Sequence, residues 1–170
     1  MPPLSAGPLA ALPPELFELL EGPSVIHVAT RDAKLVPTST HACGIQLAGP
    51  DHPSEVTVFV PVVLSGPRLA NLRDNGQMAV TMVCPADNRS AQIKGLWLGE
   101  RRTDEADRAR LARHAEELMR VMGLVGVPRS MWRRLLWWPC VALRMEVREV
   151  FVQTPGPSAG RRCEAAEARR

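Results

Sequence analysis

The sequence predicts a mainly β protein with added helices, folded as an antiparallel barrel. Three observations carry this. Six segments have strand character, and most are joined by short connections rich in breaker residues. Helical patterns occur at the start, middle and end of the chain. The alternating strand–helix units of a parallel, doubly wound sheet are missing. At 170 residues and 18.6 kDa the chain suits one domain with a sizeable core.

Residues 1–12 are rich in Pro, Ala and Gly and read as a flexible N-terminal arm. The barrel domain is expected over 13–160, and a disordered basic tail over 161–170. Pro13 and Pro14 pre-set φ for a first helical turn, Glu15 and Glu18 suit its positive end, and Gly22-Pro23 stops it. Residues 25–30 form a first strand, Arg31 to Lys34 a turn, and 35–47 one returning strand. Its middle holds only small residues around His41 (Thr38, Ser39, Thr40, Ala42, Cys43, Gly44), as where a ligand or another backbone comes close.

Residues 55–60 are a third strand, dominated by Val. Ser65-Gly66-Pro67 looks like a capped helix start, with Leu69, Ala70 and Leu72 on its inner face and Asn75-Gly76 at its end. The fourth strand is 77–84 and the fifth 90–99, across the turn Pro85-Ala86-Asp87-Asn88. A long amphipathic helix over about 104–122 places Leu111, Ala115, Leu118 and Met122 at helical spacing. A shorter helix begins at Pro128, and the sixth strand follows Pro139 with Val141, Leu143, Met145 and Val147 on one face.

Composition narrows the function. The net charge is +3, of which the last ten residues contribute +2, so the body is nearly neutral. Aromatic residues make up 4% of the chain, with no Tyr. Both facts argue against a nucleic-acid partner. Cys43, Cys84, Cys140 and Cys163 are far apart and lack zinc spacing, so no metal is expected and the first three read as small buried hydrophobes. With no basic leader and no apolar run of membrane-span length, the expectation is a cytoplasmic protein without membrane contact.

Residues 65–95 carry the functional signal: S-x-x-R-L-A-N-L-R-D-N-G, a hydrophobic strand, then N-R-S-x-Q-x-K-G. This order of elements and motifs resembles the FMN-binding split barrels of the pyridoxamine 5'-phosphate oxidase-like superfamily, over roughly residues 12–160. The resemblance implies a six-stranded split β-barrel of FMN-binding type and a homodimer holding the cofactor at its interface. It further implies that Ser65 and Arg68 meet the cofactor phosphate at a helix start, where an anion is favoured. Arg89 matches the Arg of the family's flavin-contacting strand, Ser90 stands where that motif has its flavin-contacting Gln, Gln92 and Lys94 share one face of the strand, and Gly95 matches the motif's final Gly. The family's second strand usually offers an Arg and a Lys to the phosphate, whereas residues 38–46 contain neither. The ending that serves pyridoxal phosphate in the true oxidases is also missing, so pyridoxamine-phosphate oxidation is not implied.

The cofactor-binding set is therefore Ser65, Arg68, Arg89, Ser90, Gln92, Lys94 and His41. A mid-strand Lys such as Lys94 has little structural reason to be there. His41 suits either a ligand hydrogen bond or an interface contact, and His27, His114 and Arg73 read as structural or surface residues. Trp132, Trp137 and Trp138 suit core, a dimer contact or a cover over a flavin ring. The expected function is flavin-mediated electron transfer with FMN to an unidentified small-molecule substrate. The alternative is a non-catalytic split-barrel dimer that binds flavin, deazaflavin or haem.

Overall fold

The computed structural model describes residues 8–132 and 138–164. Its centre is an antiparallel sheet of seven strands: β1 (Val25–Arg31), β2 (Pro37–Ala42), β3 (Gly44–Leu47), β4 (Glu55–Pro61), β5 (Gln77–Val83), β6 (Ser90–Arg102) and β7 (Cys140–Val152). Among the described residues, four α-helices accompany it: α1 (Pro14–Phe17), α2 (Val62–Asn75), α3 (Glu105–Leu124) and α4 (Arg129–Trp132).

The strands lie in the order β2-β1-β5-β6-β7-β4-β3. β2 and β3 occupy opposite edges of this sheet, yet only Cys43 separates them in the chain. A flat sheet cannot satisfy that connection, so the sheet curls until its edges meet at Cys43, whose N–H donates to Phe59 O at 2.7 Å. The barrel thus has seven strands, where six were expected. The expected second strand changes partner at its centre: Ala42 still pairs with Ile26 of β1, while Gly44 pairs with Phe59 of β4. Small side chains permit the switch, since a Cβ on Gly44 would come within 2.6 Å of Leu111 Cδ2.

Alternation along the strands fills the barrel. Ile26 and Val28 of β1, Val80 and Met82 of β5, Ala91 and Ile93 of β6 and Val58 of β4 are fully buried. A smaller cluster of Cys43, Phe59, Leu111, Cys140 and Ala142, joined by Trp138, seats α3. Cys84, expected to be buried, is only half-buried. The α3 start is reciprocally capped: Asp107 N–H donates to Asp104 Oδ1 at 2.9 Å, and Asp104 N–H to Asp107 Oδ2 at 3.0 Å. Arg101 donates to both Asp107 oxygens, and these bonds hold that buried carboxyl below its usual range.

The segment expected as a loose arm is packed from Pro8 onward, with Leu9 and Leu12 buried in the main core. The tail also departs from expectation at its start. Gly160 N–H donates to Val152 O, Cys163 N–H to Val150 O, and Arg162 bridges Phe151. Residues 160–163 therefore fold back along β7. Trp137 lies outside the described residues, as does the side chain of Trp132. No described helix is long and apolar enough to cross a membrane.

Candidate functional site

The strand alternation that buries Val28, Val80 and Ile93 sends their neighbours to the opposite face of the sheet. Register lines up one row across five strands: His41 (β2), His27 (β1), Thr81 (β5), Gln92 (β6) and Phe151 (β7). The next row is Ser39, Ala29, Ala79, Lys94 and Glu149. Two alanines in the middle of that second row leave space above the sheet.

His41 and His27 meet edge to face with ring centroids 6.2 Å apart. Burial of His41, reinforced by the charges of His27 and then His114, lowers its pKa to about 4. At neutral pH its imidazole is therefore uncharged, with one nitrogen able to donate and the other to accept. Gln92 Nε2 donates to Thr81 Oγ1 at 3.1 Å. Lys94 Nζ stands 4.5 Å from the centre of the Phe151 ring, an attraction of cation to π-face.

Beside Lys94 lies a cleft of about 600 Å³, floored by Ala29, Ala79 and Gly95. Four cations line it: Arg31, Lys94, Arg148 and Arg162. A β-bulge supplies Arg148. Lys94 pairs with Glu149 and Gly95 with Val147, so Arg148 is the extra residue on β7. Gly95 is what lets the strands approach there, since a Cβ on it would stand 1.8 Å from Glu146 O. The folded-back segment after β7 supplies Arg162.

The structure gathers three of the sequence-predicted residues on this face, namely His41, Gln92 and Lys94. Arg68 lies at its margin, donating to Leu64 O and to Ser39 O, while its Nε–H is buried with no acceptor among the described residues. Ser65 is not at a helix start. α2 begins three residues earlier, at Val62, and Ser65 is buried in its first turns with Oγ donating to Val62 O at 2.8 Å. Arg89 is held in the turn before β6 by Asp87 at 2.7 Å, Glu18 at 3.2 Å and Glu15 O at 2.7 Å. Ser90 is buried and exchanges backbone hydrogen bonds with the Thr154 hydroxyl.

The amides of the 65–95 segment hold the fold together. Asn71 Nδ2 donates to Thr30 Oγ1 at 3.0 Å and Thr38 Oγ1 at 3.2 Å, tying α2 to β1 and β2. Asn75 donates to Arg31 O at 2.7 Å, and Gly76 closes α2 at φ +69°. Arg73 pairs with Glu100 and His114 with Ser24 O, as structural residues do. Arg31, Arg148 and Arg162 are cleft residues that sequence reasoning missed. Arg148 alternates with apolar residues like any solvated strand residue, and nothing in the sequence announces the bulge. Among the described residues, no three His, Cys, Asp or Glu side chains are grouped to hold a metal ion.

No protein-family model matches the chain, and no curated protein matches it in sequence. Solved structures do match its fold. HupZ of Group A Streptococcus is 17% identical, with a TM-score of 0.52 over 88% of this chain and 99% of that one. An F420 reductase is 15% identical, with a TM-score of 0.53 over 82% of this chain and 98% of that one. A candidate pyridoxamine 5'-phosphate oxidase from Lactobacillus delbrueckii is 13% identical, with a TM-score of 0.52 over 83% and 93%. At these identities the likeness is one of architecture. The curled antiparallel sheet with its added helices is a split-barrel fold, similar to that of these solved structures.

Proposed function

We propose that the outward face of the sheet carries a flavin-class cofactor and that the protein is a flavin-dependent oxidoreductase acting on a small molecule. The observation behind this reading is the five-strand row from His41 to Phe151, with the cationic cleft beside it. The residues fit a flat heteroaromatic ring bearing an anionic tail. Neutral His41 and the Gln92 amide offer donors and acceptors to ring edges, Ala29 and Ala79 leave room, and Lys94 offers charge. A flavin bound there supplies the redox chemistry, while the chain holds and orients it and controls what reaches it.

FMN is the cofactor favoured by the sequence motifs; the deazaflavin F420, named for one structural neighbour, is of the same class. The same face would be completed by a second copy of the chain. Exposed Leu35 and Val36 after β1, and Val62 and Val63 at the start of α2, are apolar surface that a homodimer would cover. The test is the visible absorbance of the purified protein before and after titration with FMN, F420 and haemin, with mass measured by light scattering. Saturable FMN or F420 binding by a dimer followed by reduction with a nicotinamide donor is the expected result. Binding of none of the three, or of haemin alone, would sink the reading.

A further inference from the structure

We propose that the cleft between the outer edge of β3, α3 and the segment at Leu20 and Glu21 binds a short extended peptide, which adds to β3 as a further strand. None of its residues belongs to the His41 row or to the cationic cleft, so the proposal stands apart from the flavin reading.

The first support is backbone without partners. β3 ends the sheet, with β4 on one side and no strand on the other. Ala48 N–H donates to Glu55 O at 3.0 Å, and bonding in an antiparallel ladder alternates residue by residue. Gln46, opposite Thr57, therefore bonds to β4, whereas Ile45 and Leu47 turn their N–H and C=O groups to the open edge. Among the described residues, no hydrogen bond reaches those four groups from that side. The ladder of β1 with β2 stops at Ile26 and Ala42, and the chain before β1 parts from β3 there. The gap is a cleft of about 330 Å³, walled by Leu20, Glu21, β3 and the α3 residues Arg110, Arg113, His114 and Glu117. Backbone groups at such an edge call for partners, and an extended peptide offers them at the matching spacing.

The second support is charge. Elsewhere on α3, Glu105 pairs with Arg108 at 3.7 Å and Glu116 with Arg129 at 3.1 Å. The four charged residues of the cleft, Glu21, Arg110, Arg113 and Glu117, make no ion pair among the described residues. Two cations and two anions suit a ligand with a carboxylate at one end and an ammonium at the other. His114 adds a neutral acceptor. Burial lowers its pKa against the opposing pull of Ser24 O and Glu117. Since Ser24 O can only accept, His114 Nε2–H donates to it at 3.2 Å and Nδ1 keeps its lone pair. At about 3.4 Å per residue, the four residues of β3 span about 14 Å, so a peptide of two or three residues fills the edge. Recognition is through its backbone and its two ends.

Calorimetric titration of the full chain with trialanine, and with trialanine acetylated and amidated at its ends, tests this. Amide hydrogen exchange read by NMR locates the peptide. Expected is saturable trialanine binding that is about tenfold or more weaker for the capped form. Exchange should slow at the Ile45 and Leu47 N–H groups and stay unchanged at Gln46, which β4 already holds. Combining Arg113→Gln with Glu117→Gln should weaken trialanine about tenfold and leave the capped peptide unaffected. Arg129→Gln should match wild type, with thermal melting to confirm that each variant folds. Trialanine that does not bind, or that binds without slowing exchange at Ile45 and Leu47, would overturn the proposal. Equal affinity for the capped peptide would do the same, because the four charges would then have no part in binding.

Discussion

The two faces of β1, β5 and β6 are built from the same strands and hold opposite chemistry. Inward, Ile26, Val28, Val80 and Ile93 are stripped of solvent and locked into the barrel. Outward, His27, Ala29, Ala79, Thr81, Gln92 and Lys94 leave a surface of small and polar groups with a cationic cleft at one end. Burial of apolar area explains the first face and gives no reason for the second. A strand that needed only solubility on its outer side would present mixed, neutralised charge. That difference separates residues kept for stability from residues available for a ligand.

Four measurements sharpen or break the comparison. Gly95→Ala should have the largest effect, because its Cβ would overlap Glu146 O at the bulge joining the two faces. A loss above about 4 kcal/mol or failure to fold is expected in urea unfolding. Ile93→Ala on the inner face should cost about 3 kcal/mol by the same measurement, as for other buried large-to-small changes. The third is a pH series. His41 titrates near 4 in the folded chain and at 6.5 when unfolded, so on acidification the unfolded state takes up the proton first. Its contribution is intact above about pH 6.5 and declines towards pH 4. The decline amounts to at most about 3 kcal/mol and should largely vanish in His41→Gln. Lys94→Gln should cost less than about 1 kcal/mol, the scale of its contact with Phe151. A cost near that of Ile93→Ala would mean that the outer face is structural after all.

The inner face was legible because period-two alternation survives in β1, β5 and β7 whatever lies around them. What failed was the reading of places where no periodicity exists. Residues 35–47 look like one strand because Ala42, Cys43 and Gly44 carry no pattern to interrupt, and the change of partner at Cys43 is decided by barrel closure. The α2 start was set three residues late because Ser65-Gly66-Pro67 imitates a cap, while Val62-Val63-Leu64 has the β-branched look of a strand end. In the site, Lys94 stood out as a charge in mid-strand, Gln92 as its neighbour on the same strand face, and His41 as an ionisable side chain in a strand of small residues. Arg148 depends on a bulge, Arg31 on the end of a strand, and Arg162 on a turn back along β7. Each is a tertiary event without a local signal.

β7 follows every other strand in sequence yet lies between β6 and β4 in the sheet. Without it the ladder falls into two runs, β2-β1-β5-β6 and β4-β3, joined at the Cys43 crossover but each with an open edge facing the gap that β7 fills. A chain emerging from the ribosome therefore carries two unsatisfied sheet edges until Val152 is available, and neither half of the barrel can close around its core before then. Such a protein folds late in its own synthesis, and shielding those edges while β7 is awaited becomes a requirement of its production.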